Sequence, residues 1–171
     1  PSSVVAQGVF QNQQKCSELG GAIQYSFLSS RALSELAGVS APLMLPHNEG
    51  VCFKSDEGDG IYIIIDLGQE DTGFFCLDVD CPTGTLIDIG FGEHHVGGRN
   101  FAAQYRCSGG RQKFVHYFKR LGLRYLQLHI HAHEFKLFYA GILPVYYPVS
   151  DIPYFYSSDH LHNKIYETCK R

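Results

Sequence analysis

Tryptophan is absent from this chain of 171 residues, and methionine occurs only once. No apolar run approaches the roughly 18 residues that a transmembrane helix needs. The first residues also lack a basic stretch followed by an apolar one, so we expect neither a membrane span nor a signal peptide. The net charge of −3 gives no positive surface for nucleic acid or for an anionic membrane, and we expect neither as a partner.

Signature sequences of common enzyme classes are missing as well. The glycines of Gly90-Phe91-Gly92 and Gly97-Gly98 complete neither a dinucleotide-binding GxGxxG nor a phosphate-binding loop. There is no GxSxG nucleophile elbow. The six cysteines have no CxxC spacing, which favours buried free thiols. We expect no cofactor, and the compartment stays open between cytoplasm, periplasm and secretion. Because the chain opens on Pro1 and not on Met, we expect its natural start to have been removed.

The aromatic residues are 11 Tyr and 12 Phe, and Gly is abundant at 18, a composition that favours β-structure with many tight turns. Residues 1–50 are the least regular part of the chain. From Gly60 onward, apolar or alternating segments are separated by Gly or Pro turns such as Pro82-Thr83-Gly84, with no helical period between them. We therefore predict an all-β fold, an antiparallel β-sandwich. Its predicted strands are residues 4–10, 61–67, 74–79, 85–91, 101–107, 113–117, 124–133 and 135–147, and a short helical turn is predicted at residues 31–36.

A short helix is predicted at the C-terminal end. Ser157-Ser158-Asp159 offers side-chain oxygens that suit a helix N-cap. Leu161, Ile165, Tyr166 and Cys169 then recur at helical spacing, and Lys170 and Arg171 suit the negative end of the helix dipole. The chain stops within this pattern, and we expect the helix to continue in something longer.

Three histidines, His129, His131 and His133, alternate along one predicted strand. A period of two places them on a single face, and two histidines spaced in this way on a strand can share a Zn²⁺ ion. Only Glu134 stands nearby as a further ligand, so we interpret the row as a polar, solvent-facing surface of a sheet and expect no metal. Similarly, the loop of residues 56–60 has the acidic residues but not the later ligands of a Ca²⁺ site, and we interpret it as an exposed turn.

Carboxylates are the next candidates, because glycoside hydrolysis needs two of them on either side of one bond. We expect Asp78 and Asp80 to share one strand face, with Asp88 on the neighbouring strand of a hairpin. Carboxylates on the outer face of a sheet usually serve solubility, so we assign none of them a catalytic role.

The loop that begins at Glu93 combines an acid, two histidines and an arginine: Glu93, His94, His95 and Arg99. Glycines flank this loop, and it lies at the predicted end of a sandwich. Such a loop could contact a sugar or a neighbouring domain. We favour contact with another domain over catalysis.

Two stretches of the predicted sandwich resemble the bacterial α-L-rhamnosidases. Asp66-Leu67-Gly68 followed by Gly73 is similar to that family's D-F-G-x-x-x-x-G strand pair. The segments Pro82-Thr83-Gly84-Thr85 and Ile87-Asp88-Ile89-Gly90-Phe91-Gly92-Glu93 are similar to its P-x-G-T … D-x-x-Y-G-E hairpin. These two matches occur in the order and at about the spacing found in the family.

Two further stretches complete the resemblance. Residues 114–118 and 122–128 are similar to the family's F-x-x-F … G-F-R-Y-L-x-L strand. Residues 155–165 resemble its F-x-C-S-D-x-x-L-N-x-I passage, with His162 directly before the Asn, and Tyr166 stands where Trp follows. The resemblance covers residues 60–171 well and the first 50 residues poorly.

The resemblance implies a glycosidase in which a concanavalin-like, jelly-roll β-sandwich leads into a catalytic α/α barrel. In that family the catalytic carboxylates lie in an acidic segment of the barrel, which has no counterpart here, so no residue of this chain is assigned as catalytic. The implied partners are the downstream barrel of the same chain and a rhamnose-containing carbohydrate. We accordingly expect residues 1–156 to form the sandwich and residues 157–171 to begin a linker helix.

Two alternatives stay open. The chain could be an independent carbohydrate-binding module, in which Tyr or Phe would have to supply the stacking platforms because there is no Trp. It could also be a complete small hydrolase or lectin-like enzyme that uses Glu93 and a second carboxylate. A barrel encoded after Arg171 would favour the accessory domain over both.

Overall fold

The structure is a computed structural model that describes residues 2–10, 43–94, 101–146 and 153–170. The predicted all-β fold with one short C-terminal helix is confirmed. The elements in chain order are β1 (Ser2–Phe10), β2 (Leu43–Leu45), β3 (Val51–Lys54), β4 (Gly60–Cys81), β5 (Leu86–Gly92), β6 (Phe101–Arg106), β7 (Gly110–Ile130), β8 (Glu134–Pro144) and α1 (His160–Cys169). The two short strands β2 and β3 lie in or next to the region that the sequence left irregular, and the helical turn predicted at residues 31–36 lies outside the described residues.

Every pair among the eight described strands is antiparallel, and these strands form one sheet that folds into two layers. The first layer has the order β2-β1-β4-β7-β5-β6 and uses residues 60–66 of β4 and 125–130 of β7. The second layer has the order β3-β8-β4-β7 and uses residues 73–80 of β4 and 110–115 of β7. The long strands β4 and β7 therefore belong to both layers.

Two complementary bulges allow β4 and β7 to pass from one layer to the other. In the first bulge, residues 67–70 of β4 lie opposite a single residue of β7, Arg124. In the second bulge, residues 116–119 of β7 lie opposite a single residue of β4, Phe75. Extra residues on one strand bend it and increase its twist. The sequence predicted a separate strand on either side of each bend, whereas β4 and β7 each continue through theirs.

The core lies between the layers and includes residues from each. Alternate residues Ile61, Ile63 and Ile65 of β4 are fully buried in the first layer, and the same strand buries Leu77 and Val79 in the second. Aromatic contacts also join the layers. The rings of Tyr105 on β6 and Phe114 on β7 stack with centroids 4.3 Å apart, and the Tyr105 hydroxyl donates to Gln112 Oε1 at 2.9 Å.

The helix α1 begins as its sequence predicts. The Leu161 N–H donates to the Asp159 carboxylate at 2.8 Å, which makes Asp159 the N-cap. Asn163 reaches back to Ser157, donating through Nδ2 to its carbonyl and accepting from its N–H, each at 2.8 Å. Unlike the strands, α1 buries none of its residues. Among the described residues, no helix has the length and apolarity needed to cross a membrane.

Candidate functional site

The loop after β5 is described only where it begins. Glu93 and His94 directly follow the strand and are exposed, while His95 and Arg99 lie outside the described residues. The predicted role of this loop in contacting a sugar or another domain therefore stays a prediction.

The three histidines do not form the solvent-facing row that their spacing predicted. His129 is the only one in β7, and it is 0% exposed. Its ring lies against Phe10, with centroids 5.0 Å apart, and its Nε2 is 3.1 Å from Gln127 Nε2. The prediction is wrong because β7 ends at Ile130, so that the alternation does not continue, and because the face that carries His129 is covered.

The other two histidines lie in the connection between β7 and β8. His131 Nε2 is 2.6 Å from Asp88 Oδ2, and His133 Nδ1 is 3.1 Å from the Ser55 carbonyl oxygen. Each therefore has a specific structural contact. Within residues 2–10, 43–94, 101–146 and 153–170, no group of three or more His, Cys, Asp or Glu side chains is arranged to hold a metal ion.

The candidate carboxylates are divided between the layers. Asp78 and Asp80 lie on β4 in the second layer, while Asp88 lies on β5, which pairs with β6 and β7 and not with β4. The expectation that Asp88 would stand on the strand next to Asp78 is therefore wrong. The sequence suggested a hairpin across the Pro82 turn, but β5 crosses into the other layer.

The two buried carboxylates of this set have partners that hold them in place. Asp78 accepts a bidentate pair of hydrogen bonds from Arg111, both at 3.0 Å. Asp88, which is 2% exposed, accepts from Gln104 Nε2 at 2.7 Å in addition to its contact with His131. These arrangements are those of structural groups, and neither carboxylate lines the open cleft described next.

An open cleft of about 640 Å³ lies at the β4 bend. The bulge residues Leu67, Gly68 and Gln69, with Asp71 just after them, form one side of the cleft. The remaining lining residues come from the start of β1, from β8 and from the segment after β8: Ser2, Tyr139, Ile142, Pro144 and Tyr146. Within this lining, Gly68 adopts φ +84°, a left-handed conformation that suits glycine.

Asp71 and Tyr146 form the polar part of the cleft. The Tyr146 hydroxyl donates to Asp71 Oδ2 at 2.6 Å, and this hydrogen bond raises the pKa of Tyr146. The other oxygen, Oδ1, accepts from the Thr72 N–H at 2.8 Å. Gln69 adds an exposed amide, so the cleft offers a carboxylate, an amide and an exposed tyrosine ring. This site was not predicted, because the polar run of residues 68–72 is typical of a connection between two strands.

Exposed apolar side chains lie at the second bend, which is the bulge of β7. Phe118 in the β7 bulge is 99% exposed and Tyr117 beside it is 62% exposed. Further exposed apolar side chains begin at the end of β8 and occur again in the C-terminal segment: Leu143, Val145, Tyr146, Tyr154, Phe155, Tyr156, Leu161 and Ile165. Surfaces of this kind commonly mark sites of contact with another protein surface.

The chain is similar to part of a solved enzyme, the GH78 family rhamnosidase of Bacillus sp. GL1. The sequences are 32% identical, with a TM-score of 0.58, over 70% of this chain and 13% of that one. The resemblance to a rhamnosidase is confirmed. The rhamnosidase-like chain thus spans about an eighth of the length of the enzyme that it matches.

The remaining comparisons add no functional information about the rhamnosidase-like chain. A GH29 fucosidase mutant of Ruminococcus gnavus, solved in complex with fucose, matches with 12% identity and a TM-score of 0.40 over 54% of this chain and 21% of that one. This similarity is too low to support an argument. No family profile matches the chain, and no curated protein sequence matches it.

Proposed function

We propose that the chain is a non-catalytic β-sandwich domain of an α-L-rhamnosidase-like glycoside hydrolase and that it packs on the catalytic barrel of the same protein. The observation that carries this proposal is the 32% identity to a GH78 family rhamnosidase over 70% of this chain but only 13% of that one. A match to so small a share of an enzyme fits one domain among several.

Exposed apolar surface supports the docking role. The apolar residues Leu161 and Ile165 of α1 are 60% and 51% exposed, and Phe118 is almost fully exposed. A helix of ten residues is marginal in water without tertiary contacts. A neighbouring domain would supply those contacts and remove the apolar groups from water. We include the loop of Glu93, His94, His95 and Arg99 among the candidate contact residues.

The carboxylates support a non-catalytic role. Glycoside hydrolysis needs an acid and a second carboxylate on either side of the scissile bond. Asp78 is held by Arg111, and Asp88 is buried with Gln104 and His131. Glu93 is exposed at the end of β5, but a single acid does not supply both functions.

The test is an activity assay on this chain and on the product of the reading frame that encodes it. We expect the reading frame to continue beyond Arg171 with six or more helical hairpins, and its full product, but not this chain, to hydrolyse an aryl α-L-rhamnoside. Hydrogen exchange at α1 and at residues 116–119 should be slower in the full product. Turnover by this chain that is lost in Glu93→Gln but kept in Glu57→Gln, a change in an exposed turn, would contradict the proposal and favour a small hydrolase.

A second candidate, carbohydrate binding by the domain itself, is favoured by the cleft at the β4 bend. Its volume of about 640 Å³ lies within the usual range for small-molecule sites. The Asp71 carboxylate and the Gln69 amide can bond sugar hydroxyls, and the exposed Tyr146 ring can stack on the apolar face of a sugar.

Titration of the chain with L-rhamnose, followed by NMR, tests this candidate. We expect saturable shifts of amides at residues 67–72 in the parent chain and in Asp56→Ala, whose substitution lies in a distant turn. Asp71→Ala should abolish them, because it removes both the carboxylate and the partner of Tyr146. Shifts that persist in Asp71→Ala, or no shifts in the parent chain, would rule out this cleft as a rhamnose site.

A further inference from the structure

Two of the cysteines in the described residues are buried in the core. Cys81 is 4% exposed and Cys107 is 2% exposed, and both belong to the cluster that the layers share. Cys81 is the last residue of β4 in the second layer, whereas Cys107 directly follows β6 at the edge of the first layer. The pair therefore lies where the two layers meet.

A turn brings the two cysteines together. The Cys107 N–H donates to the Thr85 carbonyl at 2.8 Å, and the Gly84 N–H donates to the Cys107 carbonyl at 2.8 Å. The Thr85 N–H in turn donates to the carbonyl of Pro82, the residue after Cys81, at 3.3 Å. The first two bonds fix the segment after Cys81 against the segment that contains Cys107, and the third closes the turn within the first segment.

The two thiols interact within the buried cluster, because a hydrogen bond with the other thiol is the main cause of the pKa shift of each. This bond lowers the pKa of the Cys81 thiol, and the same bond together with burial raises that of Cys107. The two thiols are therefore neighbours in the buried cluster that the layers share. A thiolate beside a second thiol is the arrangement from which disulfide exchange proceeds.

We propose that Cys81 and Cys107 are a covalent modification site, at which a low-molecular-weight disulfide such as oxidised glutathione converts the two thiols into a disulfide bond between the layers. This inference does not depend on the proposed function, since it concerns the sandwich alone. The bond would tie β6, an edge strand paired only with β5 among the described strands, to the end of β4.

The reaction is two successive thiol–disulfide exchanges. The Cys81 thiolate attacks one sulfur of the small disulfide, so that a mixed disulfide forms and one small thiolate leaves. Cys107 then loses its proton to that thiolate and attacks the Cys81 sulfur, which releases the second small thiolate. In total, two protein thiols are oxidised to one disulfide, and one small disulfide is reduced to two thiols.

The other described cysteines are less well placed. Cys52 and Cys169 are exposed on β3 and α1. Cys76 lies on β4 five residues before Cys81, and its thiol donates to the Phe74 carbonyl oxygen at 3.4 Å. Cys76 is therefore the matched control, because it shares a strand and a layer with Cys81 without a described thiol neighbour.

The test is refolding of the reduced chain in a buffer of reduced and oxidised glutathione, followed by alkylation, trypsin digestion and mass spectrometry without reduction. Refolding gives the glutathione access to thiols that the native core buries. Trypsin releases Cys107 in the peptide of residues 107–111, whereas Cys76 and Cys81 share the peptide of residues 55–99. We expect these two peptides to be recovered cross-linked, with a loss of two hydrogens.

Cysteine-to-serine variants identify the two residues that form the disulfide bond, and melting temperatures measure its effect on stability. Cys76→Ser should keep the cross-link, and both Cys81→Ser and Cys107→Ser should lose it. The oxidised chain should melt roughly 5–10 °C above the reduced chain, because closing a loop of this length restricts the unfolded state. A Cys107 that stays open to alkylation, a cross-link that survives in Cys81→Ser, or a melting temperature unchanged by oxidation would each overturn the proposal.

Discussion

The sandwich and the C-terminal helix of this chain differ in how they use their apolar residues. In β4, Ile61, Ile63 and Ile65 are fully buried, and the strands around them bury the same kind of side chain. In α1, which carries Leu161 and Ile165 at helical spacing, no residue is buried. Burial therefore stabilises the sandwich, whereas the contacts described for α1 are local: its caps, its hydrogen bonds and the ring contact between Phe155 and Tyr166.

The motifs that resemble the rhamnosidase family make long-range contacts in the sandwich and local contacts in the C-terminal segment. Asp66 and Gly68, from the first motif, meet Arg124, from the third, at the β4 bend. Arg124 donates two hydrogen bonds to Asp66, each at 3.0 Å, and the Gly68 N–H donates a third at 2.7 Å. In the tail, the motif residues Ser157, Asp159 and Asn163 instead cap α1. Motifs in the sandwich thus join distant strands, while the motif in the tail stabilises only its own helix.

The largest loss of stability should follow a substitution that leaves a cavity in the core of the sandwich. Leu128 is 0% exposed and lies opposite Ile63 on one side and Ile89 on the other. We expect Leu128→Ala to lower the free energy of unfolding by about 2–5 kcal/mol, through lost burial and the cavity left behind. Urea unfolding measures this change. Leu143→Ala, at an exposed position of β8, should cost less than about 0.5 kcal/mol. Equal losses would show that the contrast between buried and exposed leucines does not govern stability.

A smaller effect is expected from the buried polar cluster. Asp88→Ala removes the acceptor of Gln104 and the partner of His131. Leaving buried polar groups without their hydrogen bonds costs about 1–3 kcal/mol, so we expect the free energy of unfolding to fall by that amount. Asp56→Ala, in an exposed turn, is the control in the same urea experiment. An unchanged stability of Asp88→Ala would mean that the cluster is not required by the fold.

Much of the fold follows from sequence pattern because alternation and turn chemistry are local. The predicted segments at residues 4–10, 85–91, 101–107 and 135–147 correspond to β1, β5, β6 and β8 with shifts at their ends. The merging of the other segments into β4 and β7 was not predictable, because a bulge carries polar residues and glycine just as a loop does. Whether hydrogen bonding continues through such a run depends on the partner strand, which is distant in sequence.

The candidate site was less predictable for a related reason. Asp71 and Tyr146 are 75 residues apart, and only the pairing of β4 with β8 brings them together. The histidines show the opposite error: their spacing is regular, but the alternation of faces applies only as far as β7 extends, and His131 already lies beyond its end. Regular spacing therefore predicts that side chains share one face of a sheet only where all of them lie within the same strand.

The Asp66–Arg124 pair should have a modest effect that depends on pH. The hydrogen bonds from Arg124 hold the pKa of Asp66 below its ordinary value of 3.8. A carboxyl group with a lowered pKa in the folded state contributes stability that is fully present above the unfolded value and is lost as pH falls through the folded one. Arg124→Met should therefore lower the free energy of unfolding near pH 7, and this difference should shrink below pH 3.8. A difference that is the same at pH 7 and pH 3 in urea unfolding would assign the loss to packing instead. Lys54→Met, which removes an exposed ion pair with Glu134, controls for general charge effects.

The smallest effect on the sandwich should come from changes in α1. Leu161→Ala and Asp159→Ala should each alter the free energy of unfolding of the sandwich by less than about 0.5 kcal/mol, since neither residue is buried. Asp159→Ala should still reduce helicity in α1, because it removes the acceptor of the Leu161 N–H. Hydrogen exchange separates the two regions: amides of α1 should exchange much faster than those of β4 and β7, whose bonds break only when the sandwich opens. If a strictly monomeric sample protected α1 as strongly as the central strands, the helix would belong to the core of this domain. The exposed stripe of Leu161 and Ile165 would then no longer support docking onto a neighbouring barrel.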